Sequence, residues 1–267
     1  MVVDRLSDRV THWFTLNEPA CFIGHGHRIG LHAPGLQLPD AQVMQAWHHA
    51  LLAHGRAVQV IRGRSRHPKP MVGCAPCFNT YIPASPRPAD IEAARRMTFE
   101  ARGRDMFHST LSLDPCFRGR YPDDVLAHWG ADAPRVQAGD LELIHQELDF
   151  LGINIYSGGL VRAGKDGHPE VVGYPNHHAH TFFNWPITAD ALHWAARFLY
   201  EAYGKPIVIT ENGMANMDWV AVDGHVHDPQ RIDFMTRYLR GLETGLNEGV
   251  PVLGYFHWSI MDNFEWA

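Results

Sequence analysis

The sequence predicts an α/β fold, a parallel sheet of about five β-strand units that is open or incomplete, and three features predict it. Short apolar or β-branched runs alternate with longer segments of helical periodicity, the order that builds a parallel sheet through right-handed crossovers. Most of those runs stop abruptly at polar or aromatic clusters. No low-complexity tract, Gly/Ser linker or short repeat interrupts residues 1–267, which are therefore expected to form a single domain. A closed eight-stranded barrel of this unit size would need considerably more chain.

Residues 10–16 are β-branched and aromatic and run into Asn17, Glu18 and Pro19, as a first strand would. Behind Pro39 and Asp40, apolar residues from Val43 to Ile61 recur at helical spacing and predict a long amphipathic helix over 41–61. A second strand is expected at 71–78, then a helix over 90–107 with Asp90 as its N-cap. Residues 149–156 and 206–210 read as buried parallel strands, the latter after a helix at 189–203. Ile232, Met235, Leu239, Leu242 and Leu246 then step 3, 4, 3, 4 behind Asp228 and Pro229, predicting a helix with one apolar stripe against the sheet. Residues 252–258 supply the fifth strand.

Composition narrows the function. With 45% hydrophobic and 19% charged residues the chain is neither disordered nor fibrous. A formal charge of −6 without any Lys/Arg block argues against nucleic acid or an acidic membrane surface as partner. Neither a signal-like apolar segment at the start nor a membrane-length apolar stretch is seen, so a cytoplasmic protein is expected. Four cysteines, Cys21, Cys74, Cys77 and Cys116, are too scattered for a disulfide scaffold and are expected to be reduced. The C-A-P-C pair at Cys74 and Cys77 lacks the second pair of a zinc set. His25, His27 and His32, and His177, His178 and His180, lie in two loops that could hold a metal but are expected to be polar lining. No metal and no cofactor are expected.

In parallel α/β proteins the carboxyl ends of the strands form the active face. Glu18 and Glu211 both sit where a strand stops, each beside an asparagine. Two carboxylates so placed suit glycoside chemistry, one protonating the leaving oxygen and one attacking the anomeric carbon. Trp185, Trp258 and Trp266 lie in or beside the same loops and offer flat surfaces on which sugar rings stack. A solvated strand boundary and core tryptophans would explain the same residues taken singly.

The motifs themselves go further. T-L-N-E-P at 15–19, D-F-L-G-I-N-I-Y at 149–156, I-T-E-N-G at 209–213 and W-S-I-M-D-N-F-E-W at 258–266 resemble, in order, those of the family 1 glycoside hydrolases, the β-glucosidase family. Weaker matches, H-A-P-G at 32–35, Y-I-P-A-S-P at 81–86 and L-D-P-C-F-R-G-R-Y-P at 113–122, extend the resemblance over essentially the whole chain. It implies that Glu18 is the acid/base and Glu211 the nucleophile of a retaining β-glucosidase, whose carboxyl groups stand about 5 Å apart. It implies too that Tyr156 hydrogen-bonds the nucleophile and that Asn17 contacts the sugar 2-hydroxyl. Asn154 joins the substrate-binding set, Trp258 lies beneath the glycone, Trp185 serves the aglycone side, and Glu265 with Trp266 reads the 4- and 6-hydroxyls. Glutamate at 265 disfavours the 6-phospho-β-glucosidase branch, and glutamate at 18 the thioglucosidase branch. The substrate implied is a β-glucoside or related oligosaccharide.

The chain departs from the family in having Ile155 between Asn154 and Tyr156. The resemblance also implies an incomplete TIM (β/α)8-type barrel, truncated at both ends, because the family has three further strands before N-E-P and a stretch after E-W. Its glycone-binding Gln and His on the first and third strands have no counterpart here. Open sheet edges would seek partners, so a homo-oligomer is expected. A noncatalytic remnant that binds sugar or a partner chain is the alternative.

Overall fold

The computed structural model describes residues 1–261 and 263–265. Along the chain come α1 (Val2–Leu6), β1 (His12–Asn17), a π-helix (Ala20–Arg28), α2 (Asp40–Arg64), β2 (Met71–Ala75), β3 (Thr80–Pro83), α3 (Pro88–Phe99), α4 (Thr110–Arg118), α5 (Asp123–Trp129) and α6 (Asp140–Ile144). Then follow β4 (Leu151–Asn154), β5 (Gly158–Ala163), β6 (Pro169–Val172), α7 (Asp190–Tyr203), β7 (Ile207–Asn212), α8 (Pro229–Asn247) and β8 (Val252–His257). Two compact units result, one of Met1–Phe78, Phe99–Asn154 and the tail residues 263–265, the other of Asn79–Thr98 and Ile155–Met261.

In the first unit β1 pairs in parallel with β2, His12 opposite Met71, and a parallel bridge joins Cys77 to Asn154 at the end of β4. α2 covers this sheet with Val43, Trp47, Leu51, Val58 and Ile61, the predicted helical stripe, all fully or nearly buried. Gly55 lies where α2 meets the chain of α6, since a Cβ there would fall 1.9 Å from Leu143 O. α2 also buries two histidines. His48 bonds Tyr121 Oη and Asp140 Oδ2, each at 2.9 Å. His54 Nδ1 meets Thr15 Oγ1 at 2.5 Å, but its Nε2 has no partner.

In the second unit β3 pairs in parallel with β5, and β5 with β6 as an antiparallel hairpin, while β7 and β8 run parallel. α7 and α8 pack together, with Gly241 so close to Ala189 O that a Cβ would lie 2.5 Å from it. The five expected strands correspond to β1, β2, β4, β7 and β8, and β3, β5 and β6 are additional. Three expectations need correction. α3 ends at Phe99 rather than 107, and Asp90 is no N-cap: it lies inside α3, fully buried, accepting from Ser85 Oγ, the Arg87 guanidinium and the Ala163 amide. In α8 the buried face is Phe234, Tyr238, Gly241, Leu242 and Gly245, and Ile232, Leu239 and Leu246 are exposed. Phe234 and Tyr238, their rings stacked with centroids 3.9 Å apart, take the buried positions instead, and the glycines admit α7.

Burial pushes His54 down from 6.5 to about 4. Its folded value lies below its unfolded one, so the contribution is complete above pH 6.5 and is lost as pH falls toward 4, by on the order of 3 kcal/mol. Urea unfolding between pH 7 and pH 4 is expected to show this loss, and His54→Gln to flatten it. An unchanged pH dependence in the variant would contradict the assignment.

Candidate active site

The end of β1 turns sharply. Glu18 has φ +42°, a left-handed conformation that costs a side-chain-bearing residue about 1–3 kcal/mol and is kept only where surroundings enforce it. Its amide donates to Ala75 O (3.0 Å), tying it to the end of β2. Asn154, at the end of β4, donates from Nδ2 to Asn17 Oδ1 (3.0 Å) and to Glu18 Oε1 (2.8 Å). The other oxygen, Oε2, accepts from the Cys21 thiol at 3.1 Å. Glu18 is 8% exposed and Asn154 2%, so both carboxyl oxygens are oriented by protein donors rather than by bulk water. The π-helix that carries Cys21 starts directly after Pro19, so its wide turns belong to the site's own loop.

That helix also places His25 against His32, with ring centroids 4.7 Å apart. Burial lowers His25, the neighbouring His32 adds to this, and Glu18 opposes it. His25 therefore tends to remain neutral near the carboxylate.

The second unit holds Glu211. Tyr156 Oη donates to Glu211 Oε2 at 2.7 Å, and the main chain is fixed on both sides. Ile155 N–H donates to Glu211 O, and the buried Asn212 donates from Nδ2 to Ile155 O (2.8 Å) and accepts from Tyr255 Oη at Oδ1 (2.9 Å). Burial raises Tyr255 to about 12, so its hydroxyl stays a donor. Tyr238 of α8 donates to Tyr156 O (2.9 Å), and its oxygen accepts from Thr188 N–H. Gly213 explains the last letter of T-E-N-G: a Cβ would lie 2.1 Å from Trp258 O, and Trp258 N–H donates to Asn212 O.

Trp185 packs on Tyr156 (centroids 5.3 Å, 50° tilted) and is 42% exposed, while Trp258 is 41% exposed and begins a cis peptide to Ser259. Both offer open ring surface. Glu265 is partly buried in the tail, and Trp266 lies outside the described residues. The structure thus gathers Asn17, Glu18 and Asn154 in one unit and Tyr156, Trp185, Glu211 and Trp258 in the other. Sequence reasoning missed Cys21, Asn212, Tyr238 and Tyr255. Cys21 could have been found three residues after Glu18, one helical turn on. The C-A-P-C cysteines do not pair with each other: Cys77 meets Cys21 (Sγ to Sγ 3.8 Å), and Cys74 is the neighbour that, with burial, pushes the Cys116 thiol up.

The glycosyl hydrolase family 1 model matches residues 1–267. The chain belongs to this family. A 1,4-beta-D-glucan glucohydrolase of Thermotoga neapolitana is 37% identical across 100% of this chain and 61% of its own length. The β-glucosidase of an Agrobacterium species is 38% identical, again over the whole chain and 57% of its own. A β-glucosidase structure from Thermotoga maritima in complex with deoxynojirimycin aligns with a TM-score of 0.83 at 36% identity, covering 99% of this chain and 58% of that one. The fold is accordingly an incomplete (β/α)8-type barrel. The chain spans about 60% of the length of the curated relatives it matches. No helix among the described residues is long and apolar enough to cross a membrane.

Proposed function

We propose that the chain is the catalytic part of a retaining β-glucosidase, its two units acting as one domain on terminal β-D-glucosyl or related β-glycosyl residues. The observation that carries this reading is that both strand-end glutamates are held by fixed donors, Glu18 by Asn154 and Cys21 and Glu211 by Tyr156. Glu211 attacks the anomeric carbon while Glu18 delivers its proton to the leaving oxygen, and the bond to the aglycone breaks. Water then attacks the glycosyl ester, giving its proton to Glu18 and restoring both groups. The Tyr156 hydroxyl keeps Glu211 Oε2 in a defined direction, leaving nucleophilicity to the carboxylate as a whole. Asn17, held by Asn154, takes the 2-hydroxyl, and Trp258 and Trp185 supply stacking faces on the glycone and aglycone sides. Family membership and the β-glucosidase and glucan glucohydrolase relatives support the substrate class.

Glu265, with Trp266, reads the 4- and 6-hydroxyls, and its charge opposes a 6-phosphate. Hydrolysis of an aryl β-D-glucoside followed by NMR is expected to release the β-anomer of glucose first, with the 6-phosphorylated analogue turned over at least tenfold less efficiently, a repulsion of about 1.4 kcal/mol. First release of the α-anomer would overturn the mechanism, no turnover at all the enzymatic reading, and equal specificity constants the role of Glu265.

The proposal extends to location and assembly. Four free cysteines fit a reducing cytoplasm. On β8, Leu253 and Phe256 are 55% and 58% exposed, apolar surface that a second copy would cover. Secreted protein on cell fractionation, or a monomer in light scattering at every concentration, would contradict the respective part.

A further inference from the structure

Beside the acid/base candidate stands a second set of chemical groups. Glu18 supplies a carboxylate, Cys21 and Cys77 two thiols, and one ligand atom from each lies within 4.8 Å of the others. Among the described residues this is the one such convergence, and the histidine loops do not produce it. Its Sγ to Sγ distance is 3.8 Å. Two thiolates bound about 2.3 Å from a tetrahedral cation stand about 3.8 Å apart, so the sulfurs are already at the spacing of two such ligands.

The three ligands come from three rigid places. Glu18 is clamped at the end of β1, Cys21 belongs to the π-helix, and Cys77 is bridged to Asn154 just after β2. Cys77 is partly exposed and lines a cleft with Pro19, Pro76, Met106 and His108, which gives a small ion a way in. We propose that Glu18, Cys21 and Cys77 form a binding site for a thiophilic divalent cation such as Zn2+ or Cd2+. Three protein ligands leave a fourth tetrahedral position for water. Cys21 displaces its hydrogen bond to Glu18 Oε2 when its sulfur turns to the metal, while Asn154 keeps Oε1.

Binding is a proton exchange without redox change. Each thiol releases its proton to solvent and forms a metal–sulfur bond, and Glu18, releasing its own proton to solvent where it carries one, forms a metal–oxygen bond. Affinity therefore rises with pH. On the hydrolase reading proposed above, a cation on Glu18 Oε2 also stops it from carrying the proton, so occupancy is inhibitory.

Cd2+ titration of the reduced protein tests the site without any activity assay. Expected are a thiolate-to-metal charge-transfer band in the ultraviolet, saturation at one ion per chain, and release of at least two protons per ion in a pH-stat, one from each thiol. Cys77→Ser and Cys21→Ala each abolish saturation of the two-thiolate band, whereas Cys116→Ala, which breaks the other thiol pair, leaves it. Glu18→Gln keeps the band but weakens binding by about tenfold or more, the scale on which even outer partners of a metal matter. If a cysteine variant does not fold by circular dichroism, bound Cd2+ shielding Cys77 of the unaltered protein from alkylation serves instead. A band that survives loss of Cys77 or is lost with Cys116, or alkylation indifferent to Cd2+, overturns the proposal. Because these readouts need no turnover, a catalytically silent chain that binds Cd2+ in this way refutes only the hydrolase reading.

Discussion

One side-chain amide organises the first half of the site. Asn154 Nδ2 donates to both Asn17 and Glu18, the last two residues before the chain leaves β1 for its proline, and so fixes them to the end of β4. A glutamate in a left-handed conformation would otherwise relax to a commoner backbone region, turning its carboxyl away. The amide of Glu18 on Ala75 O and the amide of Asn154 on Pro76 O close the same knot from β2. Everything attributed to Glu18 depends on that arrangement, because a proton donor works only when aimed.

The N-I-Y tripeptide serves both clusters. Asn154 holds Glu18, and Tyr156, two residues later, holds Glu211. Tyr156 is in turn held through its carbonyl by Tyr238, a residue of α8, which explains why that helix buries its aromatic face rather than Ile232, Leu239 and Leu246. The nucleophile candidate and the helix packing are thus linked through one phenol. Ile155, where the family resemblance expects tyrosine, is 1% exposed and contributes packing, an N–H donated to Glu211 O and a carbonyl that accepts from Asn212 Nδ2.

The strands that carry the site were legible in the sequence because each is an apolar or β-branched run that stops at a polar residue, as at Asn17, Asn154 and Asn212. The additional strands were not. β5 begins Gly158-Gly159, β3 ends in Pro83 and β6 begins with Pro169, and none alternates cleanly. α4 escaped notice for the opposite reason: Thr110 through Cys116 are all buried, so no polar face marks a helical period, and Pro115 interrupts it. Glu18 and Glu211 were visible as strand ends, and Cys21 lies within one turn of Glu18, yet the approach of Cys77 was not legible, since Cys21 and Cys77, 56 positions apart, meet only through the fold.

The central claim is that the two glutamates divide the chemistry, and azide separates their roles. With an activated aryl glucoside, removing Glu211 opens a cavity on the face of the sugar opposite the leaving group, and removing Glu18 opens one on the leaving-group side after the glycosyl ester has formed. The account predicts that Glu211→Ala with azide yields the α-glycosyl azide and Glu18→Ala the β-glycosyl azide. The same anomer from both variants would contradict it.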